Sequence, residues 1–184
     1  MTFYTNGYHI VRNLITLEEV ERLSKHLSDR FDKGTIDVDY SLMCVQTMNS
    51  PSFYGKGDDV MMNFQIDLLP KIESHSGLNL FKTYSYARKY KRDDILRIHT
   101  DRAACEISIT IDLGGDKWPI WVLDRDENPV KIDLNPGDGV LYRGCELSHW
   151  RSKFKGDEHI QIFVHYVDKY GPCAWAKDDL KREQ

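Results

Sequence analysis

The sequence is short of several things, and each shortage closes off a class of protein. No stretch approaches the ~20 consecutive apolar residues of a membrane helix, so no transmembrane span is expected. The opening MTFYTNGYHIVRNL has no basic start followed by an apolar core, and no secretory signal is read there. The four cysteines (Cys44, Cys105, Cys145, Cys173) form no CxxC pair and no regular spacing, which argues against a zinc ribbon, a redox motif or a disulfide framework. Buried, reduced thiols in a soluble cytoplasmic protein are the expectation. Neither sign of charge dominates: 25 Lys and Arg against 29 Asp and Glu leave a net charge of −4, which gives no strong signal for nucleic-acid binding. A local basic group, Lys89, Lys91, Arg92, Arg97 and Arg102, reads as a solvated strand face. Repeats, low-complexity tracts and linkers are missing too, so residues 1–184 are read as one domain, large enough to bury its own core. No oligomeric state is specified.

What is present divides by texture. About 1–79 reads as helical support. Thr16 and Glu19 make a capping box, and Leu17, Val20, Leu23, Leu27 and Phe31 follow at helical spacing, predicting an amphipathic helix over about 16–32. MNSPSFYGKGD (48–58) reads as a loop. Val60, Met61, Phe64, Leu68, Leu69 and Ile72 suggest a second helix that Pro70 should end or kink. From about 80 to 168 come short runs rich in β-branched and aromatic residues: LFKTYSYARKY, CEISITIDL, WPIWVLD, PVKIDL, GVLYRG, LSHWRSK and HIQIFVHYV. Helices followed by strands predict a mostly β, α+β fold, an antiparallel double-sheet barrel backed by helices. The tail from Asp168 onward is expected to fray.

The sharpest feature is His99-Thr100-Asp101. Residues i and i+2 of an extended segment point to one face, so this imidazole and carboxylate can converge on one ion. His149, 48 residues beyond Asp101 and just after the strand and turn NPGDGVLYRG, is placed to supply the third ligand. Two imidazoles and one carboxylate on one face leave three open positions on an octahedral ion, the arrangement that non-haem Fe(II) needs to hold a bidentate cosubstrate and O2 together. Zinc would favour four-coordinate closure. His9, His26, His75 and His165 carry no assigned role; His26 is expected at the surface and His165 as a hydrogen-bonded core residue.

With these residues in place, 80–168 resembles the 2-oxoglutarate/Fe(II)-dependent dioxygenase superfamily, in its prolyl-hydroxylase-like branch. That branch carries a tyrosine nine residues before the first ligand and an apolar residue three before it, here Tyr90 and Leu96. Its turn before the last metal-bearing strands is matched by Asn135-Pro136-Gly137-Asp138, while Asp93 stands where the family often has Gly. The resemblance implies a double-stranded β-helix (jelly-roll) with Fe(II) at its mouth, 2-oxoglutarate and O2 as cosubstrates, and hydroxylation or a related oxidation with release of succinate and CO2. One departure stands out. Where the family holds the distal carboxylate of 2-oxoglutarate with Arg or Lys, this chain has Glu158, His159 and Ile160. A buried dianion needs a positive partner. Arg151, two residues after His149 and so on the same strand face, is the leading substitute; His159 follows, with Gln161 and Tyr90 as neutral donors and Arg143, Arg97 and Arg102 as further alternatives.

The substrate is less legible. The segments 34–50 and 48–58 are candidate lids. Trp118, Trp121, Trp150 and Trp175 are expected to pack in the core. A peptide or small-molecule substrate fits the resemblance, and the absence of arginine from 152 to 181 disfavours nucleobase demethylation. Two rival classes share the barrel: a cupin-like metal enzyme that does not use 2-oxoglutarate, and an inactive jelly-roll that binds a partner. The lack of Arg or Lys on the last strand favours the first; the complete triad counts against the second.

Overall fold

The computed structural model describes residues 3–32 and 50–179. Three helices are described: α1 (Phe3–Asn6), α2 (Leu17–Asp32) and α3 (Asp59–Ser76). The strands are β1 (Tyr8–Val11), β2 (Ser52–Tyr54), β3 (Leu80–Lys91), β4 (Leu96–His99), β5 (Ile107–Gly115), β6 (Ile120–Leu123), β7 (Pro129–Ile132), β8 (Gly139–Arg143), β9 (His149–Arg151) and β10 (Glu158–Asp168). They form two antiparallel sheets, β1-β8-β5-β10-β3-β2 and β4-β9-β6-β7. This is the double-sheet, helix-backed architecture expected from the strand punctuation. Two strands come from the stretch read as helical. β1 pairs with β8, and β2, inside the segment read as a loop, pairs with β3.

Both predicted helices form for the expected local reasons. At α2 each arm of the capping box is made: the Thr16 N–H donates to Glu19 Oε2 (2.9 Å) and the Glu19 N–H to Thr16 Oγ1 (3.1 Å). Leu23, Leu27 and Phe31 are buried, but Leu17, counted on the apolar face, is 72% exposed because it lies in the first turn, off the sheet. Asp58 caps α3 by accepting the Met61 N–H. The same carboxylate accepts from His26 Nε2 (2.9 Å) and pairs with Arg30 (3.0 Å), so His26 is not the free surface residue expected but a tie between α2 and α3. Pro70 does not end α3, which runs six residues further. It lies on the exposed side, where water can satisfy the carbonyl its missing N–H leaves open.

The larger sheet has two unlike faces. Ile107, Ile109, Ile111 and Leu113 of β5, with Ile160, Ile162, Val164 and Tyr166 of β10, join Leu23, Leu27, Met61, Phe64 and Ile72 of the helices in one apolar cluster. The intervening Ser108, Thr110 and Asp112, and His159, Gln161, Phe163 and His165, are buried on the opposite face, toward the smaller sheet. The smaller sheet contributes Ile120, Val122 and Ile132, which pack with Val140, Tyr142 and Leu147.

The NPGDG turn anchors the chain's start to the barrel. Gly137 adopts φ +90, and a Cβ there would meet the Ile15 carbonyl oxygen at 2.7 Å. Asp138, 3% exposed, accepts from the Asn13 N–H (2.9 Å), the Asn135 N–H (2.9 Å) and Arg12 (2.7 Å). Asp93, at the position where the resemblance expects Gly, takes the left-handed φ of 76 that a short polar side chain tolerates. The tail does not fray where described: Ala176 is buried and Asp179 pairs with Arg102. Trp175, expected in the core, is 74% exposed on the short helical turn beyond the last strand. Among the described residues no helix is long and apolar enough to cross a membrane.

Burial raises the proton affinity of Asp138, but the donors on Asn13, Asn135 and Arg12 outweigh it, and the carboxyl titrates below its usual range. Its stabilisation is therefore complete above the ordinary aspartate pKa of about 4 and is lost as pH falls through the lower folded value. Asp138→Ala is expected to cost about 1–3 kcal/mol in urea unfolding at pH 7. The gap between wild type and variant should narrow at pH 3; a gap unchanged with pH would refute the carboxylate's role.

Candidate metal centre

Antiparallel pairing of β4 with β9 sets His99 directly across from His149. Their rings approach to 4.3 Å between centroids. Asp101 lies just past the end of β4, where its N–H donates to the Gly144 carbonyl (2.8 Å) and turns the side chain between the two rings. Gly144 is required there: a Cβ would collide with the Cys105 carbonyl oxygen and with Asp101 Oδ2. Asp101 Oδ1 is 3.5 Å from His99 Nε2 and 3.6 Å from His149 Nε2. One ligand atom from each of the three residues lies within 4.8 Å of the others.

The tautomers follow from the partners. His99 Nδ1 is 2.8 Å from the Arg97 carbonyl and His149 Nδ1 is 3.0 Å from the Leu147 carbonyl. A carbonyl only accepts, so each Nδ1 carries its hydrogen and each Nε2 presents a lone pair. With both rings neutral, two imidazole lone pairs and a carboxylate oxygen face one point. Burial alone would raise the Asp101 pKa; without a metal, charge on His149 and hydrogen bonds from protonated His149 and His99 outweigh that and hold it well below the usual range. Asp101 Oδ2 accepts from Ser108 Oγ (3.0 Å), which is also 2.8 Å from His165 Nδ1. His165 is buried and hydrogen-bonded, as expected, and together with Cys105 and Asp101 it forms a second group of potential ligands. The described cysteines, Cys105, Cys145 and Cys173, are free. Cys44 and residues 34–49 of the first candidate lid fall outside the described residues.

A cavity of about 190 Å3 opens over the triad, lined on its aromatic side by Tyr54, Tyr84, Tyr86, Tyr142 and Phe163. Tyr54 comes from the 48–58 segment considered as a lid. None of the four tryptophans lines it. Trp121 and Trp150 instead stack on each other across β6 and β9 (5.9 Å, 11°).

Deeper in the barrel, Trp118 gathers the other residues singled out from the sequence. Arg151 is 1% exposed, stands over the Trp118 ring at 5.1 Å and donates through Nη1 to the Trp118 carbonyl. Its Nε and Nη2 have no partner among the described residues. Burial lowers the guanidinium pKa to about 10, so it remains a cation at neutral pH. Tyr90 and His159 are paired in the β3–β10 register, with Tyr90 edge-on to Trp118 at 4.7 Å and His159 at 6.1 Å. Burial, then the nearby Arg151, pushes His159 down to about 3, so at neutral pH it is an uncharged imidazole. The Gln161 amide is 2.9 Å from His159 Nε2, and its Oε1 has no partner among the described residues. Arg143 instead pairs with Glu146, and Arg102 with Asp179; the basic strand face is interleaved with acids, Lys89 with Glu158 and Arg92 with Asp157.

Ser108 and Arg88 were missed in the sequence. Arg88, 2% exposed, shares its strand face with Tyr86 and Tyr90. The signal was present: a strand buried on both sides that alternates Ile with Ser, Thr and Asp has a polar interior to serve.

No protein-family model and no curated protein matches the chain. Solved structures do. A Pseudomonas putida prolyl-4-hydroxylase superposes with a TM-score of 0.72 at 14% identity, covering 90% of this chain and 95% of that one. The non-haem α-ketoglutarate-dependent epimerase SnoN from nogalamycin biosynthesis gives 0.76 at 12%, covering 93% and 83%. HygX from Streptomyces hygroscopicus, crystallised with nickel and 2-oxoglutarate, gives 0.69 at 12%, covering 91% and 85%. The chain therefore has the double-stranded β-helix fold of the prolyl-hydroxylase-like 2-oxoglutarate/Fe oxygenases.

Proposed function

We propose that this protein is a cytoplasmic non-haem Fe(II)- and 2-oxoglutarate-dependent oxygenase that hydroxylates a C–H bond of a peptide or small molecule. The observation that carries the reading is the convergence of His99 Nε2, Asp101 Oδ1 and His149 Nε2 on one point, with both Nδ1 atoms engaged by backbone carbonyls. With the imidazoles neutral these are three acceptors that a cation would hold together, and two imidazoles with one carboxylate suit Fe(II) with open positions. The cosubstrate is supported separately by Arg151, a buried cation with Asp112 nearby and two donors without a partner among the described residues.

In this reading His99 and His149 are oriented by the Arg97 and Leu147 carbonyls, and Asp101 by Gly144 and Ser108, so the ligand face is assembled before metal arrives. Arg151 takes the distal carboxylate of 2-oxoglutarate, with Tyr90, Gln161 and neutral His159 flanking it. Bound there, Fe(II) with 2-oxoglutarate and O2 supplies oxidative decarboxylation to succinate and CO2, coupled to oxidation of substrate. The aromatic side of the cavity flanks the proposed reacting centre.

Anaerobic Fe(II) protein titrated with 2-oxoglutarate should develop the weak visible metal-to-ligand charge-transfer band. His99→Ala should abolish it. Arg151→Ala should retain iron but bind 2-oxoglutarate at least about 30-fold more weakly, since it removes one side of a buried charge pair. Iron bound without any band would sink the cosubstrate assignment in favour of a cupin-like enzyme. Gly144→Ala, which alters no ligand, is expected to weaken Fe(II) binding about 10–100-fold in a competition titration, because its methyl displaces Asp101.

A further inference from the structure

The cavity over the triad carries one fixed positive charge. Among the described residues that line it there is no lysine and a single arginine, Arg102, which directly follows Asp101. Its side chain is 33% exposed, so the charge is open to a ligand. The guanidinium carbon stands 4.9 Å from the centre of the Tyr84 ring, itself part of the wall, within the ~6 Å over which an aromatic face holds a cation. The Tyr84 hydroxyl is 3.1 Å from Cys105 Sγ, and the Arg102 carbonyl accepts from Cys145 Sγ (3.2 Å). Ring and main chain are thus both held in place beneath the guanidinium.

The anion on that cation comes from far along the chain. Arg102 Nη1 donates to Asp179, the residue after the short helical turn Ala174–Asp178. The turn has a seat of its own, because Ala176 is buried with Tyr84, Ala104 and Cys105, and it stays docked when the ion pair opens. A tie for the tail would account for an ion pair at the surface, but this one stands at the wall of the cavity. Its two side chains are 33% and 29% exposed, and ion pairs so accessible hold their partners weakly. The guanidinium keeps its place over Tyr84 while its acceptor changes, and its planar fork fits the carboxylate of a ligand as well as that of Asp179. An uncharged guest leaves the pair closed. A carboxylate in the cavity competes with Asp179 for it.

We propose that Arg102 is the substrate-anchoring cation of the cavity and that the substrate is a small carboxylic acid, whose carboxylate takes the place of Asp179 on the guanidinium. The inference rests on the oxygenase reading only in treating this cavity as the substrate chamber. The test is calorimetric titration of isovalerate and its neutral isostere isovaleramide into protein held anaerobically with Fe(II) and 2-oxoglutarate, so that the cosubstrate covers Arg151. Isovalerate should bind about five-fold more tightly than the amide. Arg102→Gln should bring the two to equal affinity at an unchanged unfolding midpoint. Asp179→Ala removes the competitor and should tighten isovalerate about two- to six-fold while leaving the amide unchanged. A pair that serves only to tie down the tail predicts no such gain. Equal affinity of acid and amide in Asp179→Ala overturns the proposal, whether or not Arg102→Gln folds. So does a preference for the acid that survives in folded Arg102→Gln, which would put the carboxylate on the metal or on Arg151. Unchanged or weaker isovalerate binding in Asp179→Ala overturns the exchange. Selectivity that depends on Arg102 in a protein forming no charge-transfer band would uphold this site while refuting the cosubstrate reading.

Discussion

A strand can offer its side chains only alternately to two faces, and in β5 and β10 both faces are buried. One must be apolar, because α2 and α3 cover it; the other faces the smaller sheet and is free to be polar. Ile107, Ile109 and Ile111 meet the helices, while Ser108, Thr110 and Asp112 turn inward. The same alternation in β10 sends Ile160, Ile162 and Val164 outward and His159, Gln161, Phe163 and His165 inward. A slip of one residue in either strand would place the polar set against the helices. The Ser108, His159, Gln161 and His165 side chains that flank the triad and Arg151 depend on that register.

The polar interior is organised in two tiers. At the mouth, His99, Asp101 and His149 converge, and backbone carbonyls hold both Nδ1 atoms so that each Nε2 faces the carboxylate. Further in, the buried guanidinium of Arg151 keeps its charge and pushes His159 toward the neutral form. The two tiers lie on adjacent inward positions of one short strand, β9, which carries both His149 and Arg151. If His149 holds a metal and Arg151 an anion, as proposed, their spacing of two residues would suit a bridging ligand with a chelating end and a charged end.

Rigidity at the mouth comes from backbone rather than from side-chain packing. Carbonyls of Arg97 and Leu147 orient the imidazoles, the Gly144 carbonyl holds Asp101, and the NPGDG turn anchors the chain's start through Asp138. The aromatic wall has the opposite character, with side chains drawn from β2, β3, β8 and β10 around the cavity over the triad. The proposed oxidative chemistry would use that combination: fixed ligands on one side and an aromatic-walled chamber on the other.

The sequence by itself determined whatever depends on near neighbours along the chain. The capping box of Thr16 and Glu19, the common face of His99 and Asp101, and the strands with their punctuation all follow from the fixed periods of helix and strand. Even the inward set of β5 is written in the alternation of CEISITIDL. What the tertiary structure alone decided involves residues far apart in the chain. It set His149 opposite His99, placed Gly144 where Asp101 has room, and joined His26 to Asp58. It left Arg151 with two donors unpartnered among the described residues and tied Ser108 to both Asp101 and His165, while leaving Leu17 and Trp175 in solvent. Strand pairing and burial are long-range outcomes of the whole packing, so no local pattern encodes which charge finds a partner and which is left waiting for one.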